Sequence, residues 1–85
     1  MGSYQRYNVY RVSTPQGGSI DDIAVDADRD TPREREHQAW CQLLQDERSP
    51  HYQMAMRLIR ELGVDRTKAM FSAALTFERI EQGSR

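Results

Sequence analysis

Apolar and polar residues alternate differently on the two sides of residue 31. Before it, Tyr7-Asn8-Val9-Tyr10-Arg11-Val12 is rich in β-branched and aromatic side chains, which favour a strand. Ser13 to Ser19 holds Pro15, Gly17 and Gly18, the residues of a turn. Ile20 to Val25 then reads as a returning strand, although Asp21 and Asp22 weaken it. A β-hairpin or an extended arm is expected over residues 1–30. An isolated hairpin is marginal in water, so an ordered one has to lie against the helices or a partner.

After residue 31 the apolar spacing becomes helical. Thr31-Pro32-Arg33-Glu34 places a capping threonine, a proline at the first helical position and a glutamate three residues past the cap. This predicts a first helix from about Pro32 to Arg48, with His37, Trp40, Leu43 and Leu44 on one side. Ser49-Pro50 repeats the device and opens a second helix, about Pro50 to Leu62, with Tyr52, Ala55, Leu58, Ile59 and Leu62 sharing a side. Gly63 closes it. Asp65 is expected to cap a third helix, about Arg66 to Gln82, with Ala69, Met70, Ala73, Phe77 and Ile80 as its stripe. Phe71 and Leu75 lie one turn apart, off that stripe. A helix apolar on two sides is central to its fold or touches something on each side. The second side faces either the hairpin or a partner, a second copy of the chain in a homodimer included.

The fold class expected from this pattern is α+β. An N-terminal hairpin or arm is followed by a three-helix unit, in one small domain spanning residues 1–85. At 85 residues the core is thin. Apolar residues make up 38% and charged residues 29%, which is polar but not the signature of full disorder. The net charge of −1 gives no global bias toward nucleic acid or an acidic membrane. One cysteine, Cys41, excludes an internal disulfide and suits a reducing compartment. No apolar run reaches membrane-spanning length, and the start has no secretory pattern. A soluble cytoplasmic protein is expected, with no membrane partner.

Candidate chemistry is sparse. His37 and Cys41, four residues apart, share a helical face. A catalytic pair needs an orienting third group and an oxyanion site, and a structural zinc needs four ligands. With His51 the only other histidine, the expectation is no catalytic site, no metal and no cofactor. The carboxylates are interleaved with arginines at helical spacing, the pattern of a solvated face. Gly17-Gly18 lacks the lysine and following helix of a phosphate loop.

Two features remain. Leu62-Gly63-Val64-Asp65-Arg66-Thr67-Lys68 resembles the turn of a helix-turn-helix DNA-binding motif. The resemblance implies that Arg66, Thr67 and Lys68 open a recognition helix. Ile59 stands where the motif has a small residue, and Ser72 where it has a buried aliphatic. The second feature is Tyr4, Tyr7 and Tyr10 with Arg6 and Arg11, residue types that anchor protein interfaces. In a strand, Tyr4 and Tyr10 share one face and Tyr7 takes the other.

Together these point to a non-enzymatic interaction protein, using Phe71, Leu75 and the tyrosine–arginine set to bind and modulate or inhibit a larger protein or nucleoprotein assembly. Inhibitors made by phages and mobile elements, anti-CRISPR proteins among them, are a class analogy from size and lack of motifs. The alternative is a small helix-turn-helix regulator, the one reading that has DNA as partner.

Overall fold

The computed structural model describes residues 6–15 and 18–84. Strands β1 (Arg6–Ser13) and β2 (Ser19–Asp26) form a hairpin rather than an extended arm, and a short 3-10 turn follows at Ala27–Arg29. Helices α1 (Pro32–Leu43), α2 (Pro50–Leu62) and α3 (Val64–Ala74) come next, and strand β3 (Thr76–Ser84) closes the chain. The fold is α+β, but its last element corrects the expectation of a hairpin followed only by helices.

The sheet order is β2-β1-β3, antiparallel throughout. The third strand converts a marginal two-stranded hairpin into a sheet with a packed face. Tyr10 pairs with Ile23 on one side and Arg79 on the other, and Val12 with Ile20 and Phe77. Both edge strands carry charges, Asp21, Asp22 and Asp26 on β2 and Glu78, Arg79 and Glu81 on β3. Both pairings also break register beside Tyr10. Charges and bulges of this kind guard an edge against adding a foreign strand.

The helix starts follow the sequence punctuation. Thr31 Oγ1 accepts the Glu34 N–H at 3.1 Å, and Ser49 Oγ accepts the His51 N–H at 3.2 Å. The helix ends differ more. α1 stops at Leu43 rather than Arg48, where Asp46 accepts the N–H of Arg48 through its side chain and that of Ser49 through its carbonyl. These local bonds replace helical ones. Gly63 has φ +89° and ψ 165°, a conformation open essentially to glycine alone. It lets α3 begin at Val64, two residues before the expected start, with Asp65 inside the first turn rather than at the cap. The Gly63 carbonyl accepts both the Thr67 N–H, at 3.2 Å, and the Thr67 hydroxyl, at 2.8 Å.

α3 ends eight residues before the expected Gln82. Leu75 is extended at φ −81° and ψ 146°, so the chain passes directly from helix to strand. The predicted stripe is thereby overturned. Ala69, Met70 and Ala73 are exposed, and Phe77 and Ile80 are strand residues. The packed side of α3 carries Thr67 and Phe71 instead.

Two apolar clusters result. Tyr10, Val12, Ile23, Val25, Ala39 and Leu75 join the sheet to α1 and to the end of α3. Trp40, Leu43 and Ala55, with Leu44, Ile59 and Phe71 against them, join the three helices. The Trp40 and Phe71 rings lie 5.8 Å apart, tilted by 48°, within the favourable range for an aromatic pair.

Candidate functional site: an apolar groove between two helices

The residues expected to form an interface do not lie together. Leu75 is only 9% exposed and belongs to the core, and Phe71 packs on Trp40. Leu75 is thus packed within the chain, while Phe71 stays half-buried, and both also line the groove described below. Tyr10 is also a core residue. Tyr7 is on the opposite face of β1, as strand alternation requires. It pairs with Gly83 and lies so close that a β-carbon there would collide with its ring. Arg6 and Arg11 are exposed, Arg11 opposite Glu78. Tyr4 lies outside the described residues.

Of the residues the helix-turn-helix resemblance implies, Arg66 is exposed. Thr67 is fully buried with its hydroxyl bonded to Gly63, so it is not turned outward to read bases. Lys68 is half-buried, with Nζ 3.1 Å from His37 Nδ1. On the other nitrogen of the same ring, Nε2 lies 3.7 Å from the Cys41 sulfur. His37 and Cys41 therefore do share a face, and both are exposed. The group orienting His37 is a cation. A cation opposes the positive charge a general base acquires, so this row lacks the carboxylate that supports a histidine base. Among the described residues no group of three or more His, Cys, Asp or Glu side chains is placed to hold a metal ion.

The strongest electrostatic feature is Asp30, just before α1, which no sequence motif marks. One carboxylate oxygen accepts the Tyr10 hydroxyl and, at 2.6 Å, the Asn8 amide. The other accepts Arg35 Nε at 2.6 Å. The Arg35 guanidinium also lies 5.0 Å from the centre of the Tyr10 ring. Burial by itself raises the Asp30 pKa. The hydrogen bonds from Arg35, Tyr10 and Asn8 outweigh it and hold the carboxyl below its ordinary value. Burial, then the bond to Asp30, pushes the Tyr10 phenol up. This cluster ties β1 to the start of α1. Asn8, Tyr10 and Arg35 all donate to the one carboxylate, which makes it a clasp for the fold.

Among the openings between the described residues is an apolar groove of about 350 Å³. Met54 and Leu58 of α2 form one wall, and Met70, Phe71 and Ala74 of α3 the other. Thr14 and Pro15 close one end, from the loop between β1 and β2. Among the described residues no carboxylate, lysine or arginine lines it, and His51 is the one titratable residue that does. Met54 and Met70 stay 52% and 50% exposed. Two half-exposed methionines facing across a groove form an adaptable apolar surface. Sequence reasoning missed it because Met70 was placed in the core stripe and Met54 in no stripe at all.

No family description, curated protein or solved structure matches this chain.

Proposed function

We propose that this protein is a non-enzymatic interaction protein that docks on a larger protein or nucleoprotein assembly through the groove between α2 and α3. The observation that carries the reading is the pair Met54 and Met70, half exposed on facing walls of a groove that no charged side chain lines among the described residues. Exposed apolar surface of this kind marks interaction sites on small proteins. The action proposed is to modulate or inhibit the assembly it occupies. An inhibitor of the phage or mobile-element type, such as an anti-CRISPR, is the form of that proposal that suits the chain's size.

The Met70→Glu variant tests it. Met70 is exposed on a helix and glutamate is a good helix former, so stability should change by no more than about 0.5 kcal/mol. Association with the partner assembly, read by size-exclusion chromatography of extracts from cells that make the protein, should weaken by about tenfold or more. A folded variant that associates as well as the parent protein removes the groove from the interface.

A further inference from the structure

We propose that Met54 and Met70 form a paired oxidation site: a peroxide converts both to sulfoxides, and the groove between α2 and α3 then no longer accepts an apolar occupant. The consequence for association rests on the docking reading above, while the chemistry does not. Access comes first. Met54 is 52% exposed and Met70 is 50% exposed, so an oxidant in solution reaches the side chains on both walls. Met56 follows Met54 by two residues on the same helix, on another side, and is half-buried. It is an internal reference for a less accessible methionine.

In the reaction the thioether sulfur gives a lone pair to one oxygen of hydrogen peroxide. The O–O bond breaks, an S–O bond forms, and the other oxygen leaves as water. Each methionine loses two electrons and each peroxide gains two. The product is a polar side chain in place of an apolar one, and sulfoxide reductases reverse it with electrons from a dithiol, which becomes a disulfide as water is released. The lining decides what the new oxygen does. In the open groove it faces water, so the free protein keeps its fold. Under an apolar occupant it loses that water and has to find a donor. Thr14 and His51 supply the side-chain donors among the described lining residues. The Thr14 hydroxyl already donates to the Gly18 carbonyl, at 3.0 Å. His51 stands one turn before Met54 on α2. On the other wall Met70, Phe71 and Ala74 bring no side-chain donor. A sulfoxide at position 70 is therefore buried unsatisfied when the groove is covered, and burial of such a group is costly.

The test uses the full chain carrying Cys41→Ser, because Cys41 is an exposed thiol that peroxide also oxidises. After limited hydrogen peroxide, peptide mass spectrometry should find an added oxygen on Met54 and Met70 before Met56. The urea midpoint should stay that of the untreated protein. Anilinonaphthalene sulfonate, a dye that reports open apolar surface, should bind several times more weakly. Association, read in extracts as above, should weaken by about tenfold or more. Methionine sulfoxide reductases should restore both. In a Met54→Leu, Met70→Leu variant, whose groove stays apolar, dye binding and association should be the same before and after peroxide. Equal oxidation of Met56 overturns the proposal, and so does dye binding that survives full oxidation of Met54 and Met70. A lowered urea midpoint overturns it by placing the sulfurs in the core. A loss in the leucine variant as large as in its parent overturns it by placing the cause elsewhere. If oxidation removes the dye while association persists, the oxidation site stands and the docking reading falls.

Discussion

Replacing Leu75 with aspartate should unfold the isolated protein. Leu75 is the residue at which α3 gives way to β3, and its side chain packs with Tyr10, Val12, Ile23 and Val25 of the sheet and Ala39 of α1. A carboxylate in that position has no partner among these side chains, and burying an unpaired charge costs several kcal/mol. A domain of this size has about 4–13 kcal/mol of stability in total. Leu75→Ala, which leaves a cavity without adding charge, should cost about 2–5 kcal/mol and keep a measurable folded fraction. Circular dichroism and urea titration of the two variants distinguish the effects. A Leu75→Asp protein with the parent's urea midpoint would place Leu75 at the surface and dissolve the junction between sheet and helices described above.

Asp30→Ala should be nearly as damaging for a different reason. The side chain is about 10% exposed and accepts from Asn8, Tyr10 and Arg35. Removing it leaves buried Asn8 and Tyr10 without their acceptor and Arg35 without its counter-ion. Arg35 retains access to water, so the loss falls near the lower end for a broken buried pair, about 3 kcal/mol. The same contact sets a pH dependence. Because the folded-state pKa of Asp30 is lowered, the stabilisation is present above the unfolded carboxylate value, about 3.9, and disappears as pH falls through the folded value. Tyr10 works in the opposite sense. Its raised pKa gives stability that is complete below about pH 10 and lost as pH rises through the folded value. Urea midpoints between pH 7 and 3 should therefore fall more steeply for the parent than for Asp30→Asn, which has no carboxyl to titrate at that position. Parallel curves would mean that Asp30 does not clasp β1 to α1.

The three helix starts were legible, and the hairpin was legible as one of two alternatives, because each rests on local chemistry. Turn residues separate β1 from β2, and Thr31-Pro32 and Ser49-Pro50 mark helix starts whose caps form as their side chains dictate. β3 was not legible from the helical pattern because Ala73, Phe77 and Ile80 repeat at four and three residues, which fits a helix as well. No glycine or proline marks the end of α3. A two-residue alternation, Leu75 and Phe77 inward, was the competing signal, and pairing with β1 decides in its favour. That pairing joins residues some seventy positions apart, information no local window contains. Asp30 was missed for the same reason. Its partners Asn8 and Tyr10 lie 22 and 20 residues away, and only the hairpin fold brings them to it. Tyr10 and Leu75 pack inward in the fold, because aromatic and aliphatic side chains serve cores and interfaces alike and their spacing alone does not separate the two. The groove emerged only once α3 was seen to end at Ala74 and to turn Thr67 and Phe71, rather than Met70, toward the core.

The most direct measurement is photo-crosslinking from single positions in cells that make the protein. A photoreactive amino acid is placed at Met54, at Met70, or at the exposed residue Glu81 on β3. If α2 and α3 form the docking surface, positions 54 and 70 should yield the same discrete protein adduct and position 81 none. An adduct at position 81 with none at 54 or 70 would contradict the account and move the interface to the sheet.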